Sequence, residues 1–122
     1  MTRTVLLVVD DDPAALGIIE GELSRRYGSD YTVAAHGSAE DALAALRKVR
    51  DDGGAVAVLF ADLWMPSMTG IEFLAAAHAL FPTAKRALLI DWGDVSSRRG
   101  IVDASALGQM DCFIPKPIHS PH

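Results

Sequence analysis

The chain has 122 residues, of which 50% are hydrophobic and 22% charged, and its formal net charge is -5. A chain of this length is typical of one domain that buries about two-thirds of its unfolded surface without disulfides or metals. The acidic balance and the lack of a basic patch argue against nucleic-acid binding. Cys112 has no cysteine partner, and no apolar run approaches the roughly 20 residues of a membrane span. We therefore expect a cytoplasmic protein without a membrane segment.

The first predicted strand, residues 4–9, is apolar and β-branched and leads directly into three acids, Asp10, Asp11 and Asp12. A short apolar run of this kind is typical of a strand buried on both faces of a parallel sheet. Asp12 before Pro13 predicts the cap and first position of a helix. Asp10 and Asp11 have no such role, and adjacent like charges are unfavourable unless a cation binds there.

The central stretch, residues 55–70, reads AVAVLFADLWMPSMTG and follows a predicted strand at residues 31–36 and a helix capped by Ser38. Its apolar run predicts a strand buried on both faces, with Asp62 at its carboxyl end. A helix cap is the alternative role for Asp62. Thr69 is the better cap for the helix that follows, so Asp62 is a functional candidate.

The last part of the chain predicts a strand at residues 86–90, a helix at about residues 95–107 and a strand at residues 111–115. The fourth strand again ends in an acid, Asp91, and the fifth is followed by Lys116. The intervening helix has a thin apolar stripe and weak helix formers, so we expect it to be the most mobile helix.

Five strands alternating with four helices predict an α/β fold with a flavodoxin-like, doubly wound parallel sheet of order 2-1-3-4-5. In this order the first and third strands are neighbours, which brings Asp10, Asp11 and Asp62 into one pocket at the carboxyl edge. Clustered carboxylates of this type suit Mg²⁺, which keeps several waters and leaves room for phosphate. Lys116 at the same edge can offset the charge of a phosphoryl group accepted by Asp62.

The motifs VVDDDP, DLWMPSMTG and FIPKP stand at three strand ends in this order. Together they closely resemble the receiver domain of two-component response regulators, the CheY-like family, over essentially the whole chain. The resemblance implies that residues 1–122 form a single receiver domain and not an enzyme. It also implies a histidine kinase or phosphotransfer protein as phosphate donor, and an effector domain as target.

The resemblance further implies a role for each matching residue. Asp62 is the phospho-acceptor, and Mg²⁺ is held by Asp11, Asp62 and the backbone carbonyl of Trp64. Asp10 assists through water, and Lys116 contacts the phosphate.

The switch positions include one departure from the family. Phe113 matches the aromatic switch position, but Asp91 stands where the family carries Thr or Ser, whose hydroxyl donates to a phosphoryl oxygen. An ionised carboxylate cannot donate and repels phosphate. A second hypothesis is therefore a pseudo-receiver that acts as a docking or dimerisation module independently of phosphorylation.

The end of the chain is a second departure. A complete receiver continues with a fifth helix after Lys116 and Pro117, whose joining bond is cis in the family, whereas residues 118–122 are all that remain here. We expect most or all of this helix to be lacking and the chain to be the N-terminal part of a longer protein. The region of the fourth strand and the ending KPIHSP are also similar to receivers that precede a thioredoxin-reductase-like flavoprotein module, which makes a flavoprotein reductase a candidate effector.

Two other classes fit less well. Asp10 and Asp12 have the DxD spacing of an aspartyl-phosphate phosphatase, but Asp12 is better used as a helix cap and no cap domain follows. Nucleotide binding is disfavoured because no GxGxxG or Walker lysine follows a strand.

Overall fold

A parallel sheet of five strands organises the part of the chain that the computed structural model describes, residues 3–90 and 111–115. In chain order its elements are β1 Val5–Val9, α1 Pro13–Tyr27, β2 Thr32–His36, α2 Ala39–Asp51, β3 Val56–Asp62, α3 Gly70–Leu80, β4 Lys85–Ile90 and β5 Cys112–Pro115. The strand order is β2-β1-β3-β4-β5, and every pair of neighbours is parallel. The predicted flavodoxin-like order is thereby confirmed.

The register of the two central strands places the acidic residues side by side. Val9 of β1 is paired with Ala61 of β3, so that Asp10 and Asp62, which follow them, lie next to each other at the carboxyl edge. A register shift near Val5 adjusts the start of this pairing. The adjacency inferred from strand order is thus realised in the backbone.

Each described helix begins at the predicted cap. Asp12 accepts a hydrogen bond from the backbone N–H of Ala14 at 3.1 Å, and Ser38 accepts one from Asp41, also at 3.1 Å. Thr69 caps α3 in a reciprocal arrangement with a glutamate three residues later. These side chains satisfy N–H groups that the first turn of a helix leaves without partners.

The main core lies on the face of the sheet that α2 and α3 cover. Leu7 of β1, Leu59 of β3 and Leu88 of β4 are buried there with Leu46 of α2 and Phe73 of α3. Each such side chain contributes about 1.5 to 3 kcal/mol when it leaves water. This layer is the platform that holds the carboxyl edge in place.

Among the described residues, the helices cover the opposite face only in part, which corrects the prediction that β3 is buried on both faces. Val58 and Phe60 are only half-buried, whereas Leu59 and Ala61, on the core side, are fully buried. The reason is that α1 packs over β1 and β2 and leaves a groove of about 350 Å³ towards β5. An apolar strand sequence predicts that both faces of the strand are buried, but it does not show how far a helix extends over each face.

Two predicted elements lie outside the described residues: the helix at residues 95–107 and any start of a fifth helix after the cis bond expected between Lys116 and Pro117. Among the described residues, no helix has both the length and the apolar character needed to cross a membrane.

Candidate functional site

Three carboxylates meet at the carboxyl ends of β1 and β3. Asp10 and Asp11 directly follow β1, and Asp62 is the last residue of β3. One carboxylate oxygen of each lies within 4.8 Å of those of the other two. Asp10 is fully buried and Asp62 is 7% exposed, whereas Asp11 is exposed to solvent. The cluster is therefore closed on the protein side and open at Asp11.

The backbone around Asp10 fixes the position of its side chain. Its Oδ1 accepts a hydrogen bond from the N–H of Asp12 at 2.9 Å, and its own N–H donates to the carbonyl of His36 on β2 at 3.2 Å. Asp10 thus tightens the turn between β1 and α1 while its carboxylate stays in the cluster. This turn was not predicted from the sequence, although an aspartate two residues before a helix cap is a recognisable signal for it.

The backbone that follows Asp62 is held by two neighbouring elements. The N–H of Leu63 donates to the carbonyl of Leu89 on β4 at 3.2 Å, and the carbonyl of Leu63 accepts from the N–H of Gly70 at 2.8 Å. Gly70 was predicted only as the end of the central stretch, and its buried place beside Asp62 is a feature that the sequence analysis missed. A glycine at the first turn of a helix, where its low helix propensity is unfavourable, is the signal that could have indicated it.

Of the four remaining predicted site residues, the structure describes two. Trp64 lies two residues after Asp62 in the loop before α3 and is 47% exposed. Phe113 lies in β5, where its backbone is paired with Leu88 of β4. Asp91 and Lys116 lie outside the described residues, so the structure does not bring them to the cluster.

The carboxylate cluster has the chemistry of a site for a small, hard cation. Among the Asp, Glu, His and Cys side chains of the described residues, these three carboxylates form a group that could jointly hold a metal ion. Its donors are all oxygen atoms, which Mg²⁺ prefers, and the exposed side leaves space for the waters that Mg²⁺ retains. The residues therefore fit this ion.

Comparison with known proteins agrees with this architecture. The family described as response regulator receiver domain matches residues 6–122. A search of curated proteins found no match.

Solved structures with the same fold cover nearly the whole chain. A structure titled adenylate cyclase from Rhodopirellula baltica is 26% identical, with a TM-score of 0.73, over 96% of this chain and 78% of its own. The signal receiver domain of an HD domain-containing protein from Pseudomonas fluorescens Pf-5 is 25% identical, with a TM-score of 0.73, over 94% and 76%. A CheY-like receiver domain protein from Methanospirillum hungatei JF-1, at 24% identity and a TM-score of 0.70 over 97% and 85%, agrees in fold.

The family match includes β1, β3 and the acids at their ends, and the strand order is the one that the motifs predict. It also continues through β5 to the last residue, so it covers the whole sheet apart from the first residue of β1. This chain therefore belongs to the response regulator receiver domain family.

Proposed function

We propose that Asp62 accepts a phosphoryl group from a histidine kinase or a phosphotransfer protein, and that the domain thereby regulates an attached or partner effector. The observation that carries this proposal is the meeting of Asp10, Asp11 and Asp62 at one edge of the sheet. A buried carboxylate beside an open, acidic, oxygen-rich pocket is suited to act as a nucleophile towards phosphorus once the surrounding charge is neutralised.

The transfer is a displacement at phosphorus. A carboxylate oxygen of Asp62 forms the new O–P bond while the P–N bond of the donor phosphohistidine breaks. The electron pair of that bond stays on the imidazole nitrogen, which takes up a proton from water. The product is an acyl phosphate on Asp62, and the exposed side of the cluster at Asp11 gives the donor access.

Charge neutralisation is the main requirement of this step, because the phosphoryl group arrives next to three carboxylates. Mg²⁺, when bound, offsets that negative charge and orients the phosphoryl oxygens. Asp10, Asp11 and Asp62 are the proposed holders of the ion, together with the backbone carbonyl of Trp64. Lys116 is the proposed contact of the phosphate, where a fixed cation stabilises the charge that develops in the transition state.

The test is the intact mass of the protein after incubation with acetyl phosphate and Mg²⁺, with acetate as the leaving group. We expect the wild type to gain one phosphoryl group and Asp62→Asn to gain none. Asp52→Asn is the matched control, because it removes an exposed carboxylate in the connection between α2 and β3, at the amino edge of the sheet. An adduct on Asp62→Asn would contradict the assignment.

A pseudo-receiver is the second candidate, favoured by Asp91 at the position of the switch hydroxyl. Such a domain would dock to a partner or to a second copy of itself in the cytoplasm without taking up phosphate. Absence of uptake by the wild type under these conditions would favour this candidate. An attached flavoprotein reductase stays a prediction under either alternative.

A further inference from the structure

We propose that Gly70 is a positioning residue for Asp62. Because it has no side chain, the start of α3 rests directly on the backbone carbonyl of Asp62, and this contact sets the direction of the Asp62 carboxylate. The inference rests on the proposed acceptance of phosphate by Asp62, and it adds a residue that touches neither the phosphate nor the metal.

The space at Gly70 is filled by the backbone of Asp62. A Cβ atom added there would overlap the carbonyl oxygen of Asp62 and would lie 2.9 Å from its carbonyl carbon and 3.0 Å from Cδ1 of Leu88. Separations below 3.0 Å are essentially never seen for Cβ atoms, and a strand backbone cannot rotate away as a side chain can. Gly70 also lacks a positive φ, so the requirement for glycine is steric and not conformational.

The peptide group between Asp62 and Leu63 is restrained from two directions. On one side its N–H donates to the carbonyl of Leu89 on β4 at 3.2 Å. On the other side its carbonyl is in contact with Gly70, whose N–H donates at 2.8 Å to the carbonyl of the next peptide. The orientation of this peptide determines ψ of Asp62 and therefore how its side chain is directed towards Asp10.

The start of α3 cannot easily retreat from this contact. Thr69 accepts a hydrogen bond from the N–H of Glu72 at 3.1 Å, and Glu72 accepts one from the N–H of Thr69 at 2.9 Å. Phe73 and Leu74, one turn further, are fully buried in the main core. An added methyl group at residue 70 must therefore displace the Asp62 peptide or force the helix from its place. A displacement of about 1 Å can slow the reaction of a positioned group by about 100-fold.

The first experiment compares phosphoryl uptake from acetyl phosphate in Gly70→Ala and in Gly21→Ala. Gly21 lies in α1, where an added Cβ atom has no neighbour within 4 Å, so we expect its uptake to equal that of the wild type. We expect uptake by Gly70→Ala to be slower by at least about tenfold. Alanine is the better helix former, so a slower rate cannot be due to a weaker helix. Uptake by Gly70→Ala at the wild-type rate would overturn the inference.

Leu43→Ala separates a loss of stability from a loss of position, because it empties part of the core beneath α2 and leaves the residues of α3 unchanged. All variants are measured at a temperature at which circular dichroism finds them folded. We expect Leu43→Ala to melt at a lower temperature yet to keep the wild-type rate of uptake, and its amide NMR signals at Asp10 and Leu63 to stay in place. In Gly70→Ala the same two signals should shift. An equal loss of rate in both variants would mean that Gly70 is merely structural.

Two further results of these experiments are possible, namely that Gly70→Ala does not fold and that the wild type takes up no phosphate. If Gly70→Ala does not fold, Thr69→Ala decides, because loss of the cap loosens the same contact: uptake slower by severalfold supports the inference, and an unchanged rate overturns it. If the wild type itself takes up no phosphate, the proposed function fails. The amide signals of Asp10 and Leu63 in Gly70→Ala then decide separately whether Gly70 positions the Asp62 backbone, since unshifted signals would overturn that as well.

Discussion

The three consecutive acids after β1 occupy three different environments. Asp10 is fully buried and holds the turn through the N–H of Asp12, Asp11 faces solvent, and Asp12 caps α1. Asp10 and Asp11 are therefore the two of these acids that belong to the cluster with Asp62. We expect Asp10 to shape the pocket and Asp11, on the exposed side, to be the ligand that a cation meets first.

Magnesium binding should be visible in tryptophan fluorescence. Trp64 is 47% exposed and lies two residues from Asp62, so its indole should sense a cation at the cluster. We expect a saturable change in fluorescence on titration with Mg²⁺ and an affinity at least about tenfold lower in Asp62→Ala. Loss of a group that only hydrogen-bonds to a metal ligand already lowers metal affinity by about tenfold or more, so loss of a ligand should have at least this effect. The titration is carried out in Trp92→Phe to remove the second tryptophan. An unaltered titration in Asp62→Ala would rule out this site.

Asp91 is the residue that separates a conventional switch from a pseudo-receiver. We expect it to compete for Lys116 before phosphorylation and to repel the phosphoryl group afterwards, so the phosphorylated state should be short-lived. Asp91→Thr should prolong that state by about tenfold, since a hydrogen bond to a charged group contributes about 1.5 to 3 kcal/mol. It should also enlarge the phosphate-dependent shifts of amide NMR signals around Phe113. Large shifts in the wild type that Asp91→Thr does not increase would mean that Asp91 is an ordinary substitution.

β5 is the shortest of the described strands, with four residues, and it lies at one edge of the sheet. Two hydrogen bonds join its amino end to β4, one between backbone groups and one from a backbone N–H to a carboxylate. The N–H of Asp111 donates to the carbonyl of Arg86 at 3.0 Å, and the Asp111 carboxylate accepts from the N–H of Arg86 at 2.7 Å. The Arg86 guanidinium lies 3.4 Å from the same carboxylate oxygen. This joint positions the strand that leads to Lys116.

The stability of this joint should depend on pH. Hydrogen bonding from the Arg86 backbone N–H lowers the pKa of Asp111 below its ordinary value, so the ionised form favours the folded state. Its contribution is full above the ordinary pKa of about 4 and is lost as the pH falls through the lower folded value. Asp111→Asn should cost about 1 kcal/mol at pH 7, after allowance for solvent screening, and almost nothing at the most acidic pH. Urea unfolding at a series of pH values checks this, and a cost that does not vary with pH would contradict it.

At the scale of the whole molecule, an apolar groove lies beside α1 on the face of the sheet opposite the main core. Ile18 and Tyr27 of α1 are 41% and 44% exposed along it, and Phe60 and Ile114 form part of its floor. Apolar surface of this kind on a central strand is unfavourable in water. A second copy of the chain that packs against the groove would remove this surface from water.

We therefore expect this chain to self-associate through the groove beside α1. Each large apolar side chain that becomes covered should contribute about 1.5 to 3 kcal/mol. Light scattering over a concentration series should give a mass that rises with concentration. Ile18→Lys should suppress association, whereas Ala44→Lys, which adds the same charge on an exposed position of α2, should not. A mass that stays monomeric over the whole concentration range would refute the expectation.

Local patterns in the sequence determined the described elements and the candidates for the site. The apolar runs, the caps at Asp12, Ser38 and Thr69, and the acids at the strand ends depend on residues a few positions apart, which is why they could be read without a structure. The strand order then followed from the alternation of strands and helices, and with it the adjacency of Asp10 and Asp62.

Tertiary structure alone decided two features. The half-exposure of Phe60 depends on how far α1 extends across the sheet, and the contact of Gly70 with the Asp62 carbonyl depends on where α3 packs against β3. Both are distances between segments that meet only in the folded chain. Periodicity and capping report which face of an element is apolar and where it begins, but not how closely a second element approaches it.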